Sequence, residues 1–309
     1  MDTKYLAIDL GGTEIKSALM TKDGEILEKH KTPSPKLGES DQQDLLDTLK
    51  DVIDPYYSQI SGVALSFPGI LDSDTGHSFT GGSFYYLAGM NLPKMLQEKF
   101  NYDIPITVEN DGKSAVLAEF WKGSLRGVEN GAAICLGTAV GGGLILNGKI
   151  YKGNTFSAGE LSFLLTNPKE MEFWGQTGGS KYLITEVAKK LEIDVNDLNG
   201  YKVFDMANAG NEDVLAVLDE YTKSLAYQLY NIQTLLDLDL LAIGGGISRQ
   251  PLLIEYLRKN IQEFCDSHPI KPYMPLIPTP KIVACEFFNQ SNLIGALYHH
   301  LKLTDKGDN

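Results

Sequence analysis

The chain has 309 residues, 43% hydrophobic and 22% charged, with a formal net charge of -13. That length can bury a large core in one or two domains, while the acidic balance disfavours nucleic acid and anionic membranes as partners. Cys135, Cys265 and Cys285 are too few and too scattered for a disulfide framework and fit a reducing cytoplasm, and neither a signal peptide nor a membrane-length apolar run is read.

The first apolar run, Tyr5 to Leu10, reads as a central strand with one acid, Asp9, near its end. Gly11-Gly12-Thr13 turns the chain tightly, Ile15 to Met20 returns as a strand, and Asp23-Gly24 marks the turn into a third strand over Glu25 to Lys31. A polar, Pro-containing loop follows. Asp41 then caps a helix whose Leu45, Leu46, Leu49, Val52 and Ile53 share one face. Gly62 to Phe67 is a buried strand stopped by Pro68-Gly69. Leu71 to Gly89 shows no regular period, and a loop of that length is usually functional.

A short helix over Leu92 to Phe100 leads to Ile106-Thr107-Val108, a strand, and to Ser114–Trp121, a helix. Between them lie Glu109, Asn110, Asp111 and Gly112, where a carboxylate would stand at a strand end and a helix mouth. On this stretch alone Asp111 reads either as the helix N-cap or as a site carboxylate. Gly123 to Asn130 punctuates the chain and marks the main domain boundary. Ala133 to Thr138 then repeats the strand-Gly-Thr device of Ala7 to Thr13, which points to two related α/β halves facing each other. Helices are expected over 182–191, 203–208, 213–236, 251–265 and 292–301, strands over 239–243 and 281–284, and a polar tail from Thr304 to Asn309.

Three apolar strands end in glycine clusters: Gly11-Gly12, Gly137 with Gly141 to Gly143, and Gly244 to Gly246. Glycine lets backbone approach a ligand closely and present amides to an anion, and Thr13 and Thr138 add hydroxyls beside two of the clusters. Together they argue for a polyphosphate held between two halves. Gly112-Lys113-Ser114 ends like a P-loop, but Thr107 occupies the position of its first glycine, and the Gly137 to Gly143 run does not spell a dinucleotide fingerprint.

The sequence resembles the ROK family of sugar kinases and related repressors. Asp9-Leu-Gly-Gly-Thr13 is similar to its first phosphate loop, and Gly137-Thr-Ala-Val-Gly-Gly-Gly143 to its second, with Ala139 where glycine is more usual. Gly244-Gly-Gly246 resembles its adenosine-side turn, and Pro68-Gly69, Asn91-Leu92, Glu109-Asn110-Asp111 and Ala158-Gly159-Glu160 follow in the family's order. The resemblance implies an α/β, two-domain actin-like ATPase (ribonuclease H-like) fold with an interdomain cleft. The smaller domain would be 1–122 completed by 291–309, and the larger 123–290. It implies ATP and Mg²⁺ as cofactors and a sugar as substrate, a cytoplasmic location, and a homodimer.

Residue by residue, the resemblance implies that Asp111 is the general base. Asn110 and Glu160 would contact the sugar, with Gly82 and Ser83 as further contacts. Asp9 would hold Mg²⁺ through water. Gly11, Gly12, Thr13, Gly137, Thr138, Gly141, Gly142, Gly244, Gly245 and Gly246 would line the nucleotide. A lone acid in an apolar central strand is costly without a partner, which favours a metal role for Asp9 over a turn role.

The departures bear on the substrate. The family's Glu-x-Gly-His becomes Glu160-Leu-Ser-Phe163, which removes a zinc ligand. The run Glu172 to Lys181 keeps Gly175 and Gly178 but none of the zinc cysteines, and Lys181 replaces a sugar-binding acid. The five histidines lack metal-ligand spacing, so no zinc is expected. Phe163 and Trp174 either offer aromatic faces to a sugar or simply fill the vacated space. Tyr85 and Tyr86 are further candidates for the pocket. A zinc-free branch with an aromatic in place of the His resembles β-glucoside kinases, which phosphorylate the 6-hydroxyl of a glucosyl unit. N-acetylmannosamine, glucose and fructose kinases are alternatives, as is a non-catalytic sugar binder. A repressor would need a helix-turn-helix ahead of Asp9.

Overall fold

The structure is a computed structural model that describes residues 3–36, 38–270 and 277–305. Residues 306–309, the end of the expected polar tail and of the 291–309 segment, lie outside the described residues. The chain divides into two compact units: Met1–Trp121 with Lys152–Ala158 and Gln290–Asn309, and Lys122–Tyr151 with Gly159–Asn289.

The first unit is built on a five-stranded sheet. Its strands are β1 (Lys4–Leu10), β2 (Glu14–Thr21), β3 (Ile26–Pro33), β4 (Val63–Phe67) and, after a small hairpin of β5 (Leu71–Asp72) and β6 (His77–Ser78), β7 (Ile106–Asn110). Their order is β3-β2-β1-β4-β7, with the β1–β3 meander antiparallel and β4 and β7 parallel to β1. Alternation along the strands separates two faces. Leu6, Ile8 and Leu10, Val63, Leu65 and Phe67, and Ile106 and Val108 join the core with helices α1 (Gln42–Ile53) and α2 (Leu92–Phe100). The opposite face carries Ala7 and Asp9, Ala64 and Ser66, and Thr107 and Glu109, and the C-terminal helix Ser291–Thr304 packs there. That helix also meets α3 (Asp111–Lys122) closely, since a Cβ on Gly295 would overlap the carbonyl of Ser114.

The second unit repeats the plan. β8 (Gly131–Leu136), β9 (Val140–Leu146) and β10 (Lys149–Tyr151) form the antiparallel part. β11 (Leu165–Asn167) and β12 (Glu172–Phe173) form a side hairpin. β13 (Leu240–Gly244) and β14 (Ile282–Ala284) extend the main sheet in parallel, giving the order β10-β9-β8-β13-β14. Helices α4 (Trp174–Thr177), α5 (Ser180–Leu191), α6 (Gly200–Asn208), α7 (Glu212–Leu236) and α8 (Pro251–Asp266) complete it. Two units with the same strand order make the α/β, actin-like architecture. No helix among the described residues is long and apolar enough to cross a membrane.

Sequence reading places Lys152–Ala158 in the larger domain, but it belongs with the first unit. Lys152 Nζ lies 3.0 Å from Asp74 Oδ1 and 3.7 Å from Glu109 Oε2, and the Phe156 ring stacks on Phe79. The irregular loop 71–89 contains the β5–β6 hairpin and a 3-10 turn at Tyr85–Leu87.

His300 on the C-terminal helix is fully buried, 2.9 Å from the Thr107 hydroxyl, and burial together with neighbouring His299 pushes its imidazole down to about 4. The unfolded chain therefore takes up a proton near pH 6.5 that the folded chain refuses. The stability is present above that pH and is lost as the pH falls towards 4. A depression of that size corresponds to about 3 kcal/mol. His300→Asn, which keeps a partner for Thr107, should flatten this part of the profile in urea unfolding followed from pH 7 to about pH 4.

Candidate functional site

The strand register of the first unit sets three polar side chains in a row. Asp9 pairs with Ser66 across β1–β4, and Ser66 with Glu109 across β4–β7. Asp9 Oδ1 accepts from Ser66 Oγ at 3.1 Å and from Asn292 Nδ2 of the C-terminal helix at 2.9 Å. Lys16 Nζ stands 3.5 Å from Oδ2, because the tight turn sets Lys16 opposite Asp9 in the β1–β2 ladder. Glu109, 1% exposed, accepts from Ser73 Oγ at 3.0 Å and from the backbone N–H of Asn110 at 2.8 Å. His299 Nδ1 lies 3.5 Å from it, while burial holds that imidazole below its usual range against the pull of Glu109.

Asp111 begins α3 at the carboxyl end of β7 and is half-buried. The cap belongs to its neighbour. Lys113 N donates to Asn110 Oδ1 at 2.9 Å, so Asn110 makes the side-chain cap of the third amide of the helix start. Asn110 Nδ2 donates to Gly69 O at 3.0 Å and to Asp111 Oδ1 at 3.2 Å, and Gly112 N donates to the same oxygen at 2.7 Å. The Asn110 amide is thus committed to the loop after β4 and to the aspartate, and it positions Asp111.

In the first glycine turn the carbonyls are tied back. Ser34 Oγ donates to Gly11 O at 2.6 Å, and Ser34 N donates to Thr13 O at 3.1 Å. The amides of Gly12 and Thr13 donate to no protein group among the described residues. Packing also demands these glycines, since a Cβ on Gly11 would lie 2.6 Å from Glu14 O and one on Gly12 2.9 Å from Ser83 Oγ. Ser83 is therefore brought beside the turn. Gly82, at φ 53°, is pressed against Pro68.

In the second unit, Gly244 pairs with Cys135 across β13–β8, and a Cβ on Gly245 would overlap Leu136 O. Two glycine turns thereby sit at the carboxyl ends of neighbouring parallel strands, where open α/β sheets hold ligands. Gly137 O accepts from Ser180 N and Oγ at 2.8 and 2.9 Å, which ties the second turn to the start of α5 and leaves Thr138 exposed. Gly142 is explained by Ala133 O, 2.6 Å from a Cβ there. Gly137 and Gly141 meet nothing closer than 3.7 Å and 3.9 Å, and Gly246 meets nothing within 4 Å. Gly246 opens onto a pocket of about 200 Å³ lined also by Ser180, Ile184, Tyr201, Phe204 and Ile247.

Glu160 is half-buried and follows Gly159, whose φ of 83° and close approach to Gly143 Cα seat it against β9. The aromatic residues beyond it separate cleanly. Trp174 is fully buried in the core of the second unit and fills space, whereas Phe163 is 69% exposed. Lys181 is exposed in the first turn of α5. Tyr85 is exposed, while the Tyr86 hydroxyl is buried without a partner. Among the described residues, no group of three or more His, Cys, Asp and Glu could hold a metal ion.

Sequence reasoning missed Lys16, Ser66, Ser73, Lys152, Asn292 and His299. Only Lys16 carried a local signal, the turn length that fixes its register opposite Asp9. Asn110→Ala should lower stability by about 1–2 kcal/mol in urea unfolding through loss of the cap, whereas Asn110→Asp should retain most of it.

The family model described as ROK family matches residues 5–302. A β-glucoside kinase of Listeria monocytogenes is 28% identical over 311 residues, covering 97% of this chain and 98% of its own length. A glucokinase of Halalkalibacterium halodurans is 29% identical over 272 residues, covering 80% and 82%. A ROK family protein from Streptococcus pneumoniae, solved in complex with sucrose, superimposes with a TM-score of 0.85 at 29% identity over 98% of this chain and 100% of that one. With motifs, strand order and a family match that runs nearly from end to end, the chain belongs to the ROK family.

Proposed function

We propose that the chain transfers the γ-phosphoryl group of ATP to the 6-hydroxyl of a β-glucoside, with Asp111 as general base. The enzyme class is that of its relatives, the sugar kinases. The observation that carries the catalytic reading is the setting of Asp111, a half-buried carboxylate at a strand end, held by Gly112 N and by an Asn110 amide that is itself fixed by the loop after β4.

In this reading Asp111 takes the proton of the 6-hydroxyl as that oxygen bonds to the γ-phosphorus. The bond from phosphorus to the bridging oxygen breaks, and ADP leaves. Glu160 accepts hydrogen bonds from the sugar, and Ser83 offers its hydroxyl. The amides of the first two glycine turns bind phosphate oxygens, and the pocket beside Gly246 takes the adenine. Magnesium, when bound, offsets charge on the phosphates. Asp9 would hold the cation through water and not directly, because its Oδ1 is already engaged by Ser66 and Asn292 and Lys16 faces its Oδ2.

The β-glucoside class rests on Phe163, an open aromatic face directly after Glu160, and on the Listeria relative. The glucokinase relative keeps free glucose as the second reading. A coupled ADP-release assay over glucose, N-acetylmannosamine, fructose, cellobiose and gentiobiose decides between them, with turnover expected to be highest on the β-linked disaccharides. Asp111→Asn should lower kcat by about a hundredfold to ten-thousandfold with an unchanged melting temperature. A variant that melts early but keeps its turnover would leave Asp111 a structural role only.

A further inference from the structure

Phe156 holds a backbone conformation that bulky side chains avoid. Its φ is 61°, in the left-handed region, where an aromatic residue is an outlier that persists only when its surroundings fix it. The segment that fixes it is Lys152–Ala158, anchored four residues earlier by Lys152 on Asp74 and Glu109. The conformation delivers the ring onto Phe79, with centroids 5.9 Å apart and planes 23° from parallel. His77 meets Phe79 edge-on at 5.1 Å and 84°. Even so flanked, Phe79 remains 48% exposed.

Both rings are tied to the strand that carries Asp111. Phe79 N donates to Ile70 O at 2.8 Å, one residue after the Gly69 carbonyl that receives Asn110. Lys152 reaches Glu109, the residue before Asn110. In sequence, Phe156 also stands four residues before Glu160. Neither ring belongs to the hydrophobic core; the left-handed backbone parks a partly buried Phe156 on Phe79, and it is Phe79 whose open aromatic surface is available to a ligand. The proposed acceptor offers one apolar ring face suited to it.

We propose that the stacked Phe79–Phe156 pair forms a subsite for the ring attached to the anomeric oxygen of the β-glucoside, and so selects glycosides over free glucose. This deepens the β-glucoside reading and rests on it. Aromatic faces suit both a phenyl aglycone and the C–H face of a second pyranose. Free glucose has nothing to place there.

The test is the ratio of kcat/KM for phenyl β-D-glucoside to kcat/KM for glucose, measured for the wild type, Phe156→Gly and Phe79→Ala. Phe156→Gly removes the ring while relieving the left-handed backbone, so it keeps the fold available. The wild-type ratio is expected to exceed one and to fall about tenfold in each variant, with cellobiose following the phenyl glucoside. A wild-type preference retained in both variants overturns the subsite alone. So does an equal loss on both substrates, which a purely structural role would give. A wild type that prefers free glucose overturns the β-glucoside reading, and the subsite with it.

Discussion

Burial of two carboxylates in one row across the first sheet is the constraint on which the rest depends. Asp9 and Glu109 lie on the face covered by the C-terminal helix, at 6% and 1% exposure. An ionised carboxylate in such a place is tolerated only with partners. Ser66 sits between them in register, Asn292 reaches down to Asp9, and Ser73, Lys152 and His299 surround Glu109. The partners come from sequence positions as distant as 66 and 292, so the sheet is electrostatically complete only when the end of the chain has docked. Glu109 in turn receives the N–H of Asn110, whose side chain caps α3 and holds Asp111. The orientation of the proposed base is thus fixed by a chain of contacts that starts in the buried row.

Glycine separates into two kinds on the same physical test. A side chain on Gly11, Gly12, Gly142 or Gly245 would strike the protein itself, so packing accounts for those four whatever binds nearby. Gly137, Gly141 and Gly246 have ordinary or open space around them. Nothing internal forbids a side chain there. Asn110 shows the same division of labour in one side chain. Its acceptor serves the helix and its donors serve the loop and the aspartate, so it positions Asp111.

What could be read from the sequence was what local patterning encodes. The strands ending in Gly11, Gly137 and Gly244 are legible because apolar runs and glycine turns are short-range signals, and the repeated strand-Gly-Thr device anticipates two sheets of one order. Long-range pairing leaves no such mark. Nothing near Lys152 says that it faces Glu109, and nothing near Asn292 says that it faces Asp9. The choice between Asn110 and Asp111 as cap turns on one residue of helix register, which propensity does not resolve because both are good caps. Phe163 and Trp174 looked equivalent for a related reason. An aromatic residue beside a glycine-rich loop can face in or out, and only the packing of the second unit decides that Trp174 goes in.

That decision has a consequence for the run 172–181, which the resemblance aligns with a metal-binding stretch. Here a fully buried Trp174, between β12 and the glycines of α4–α5, supplies apolar packing. Its indole N–H has no partner among the described residues, and a Cβ on Gly178 would overlap it, so that corner is filled to contact by hydrocarbon and ring. Phe163 sits 69% exposed on the turn after Glu160. Phe156, on the other side of Glu160 in sequence, holds a left-handed backbone and lies partly buried against the half-exposed Phe79. Exposed aromatic faces at Phe163 and Phe79 are what recognition of a substrate larger than a single hexose would use, because a second ring offers the apolar area that a free hexose lacks.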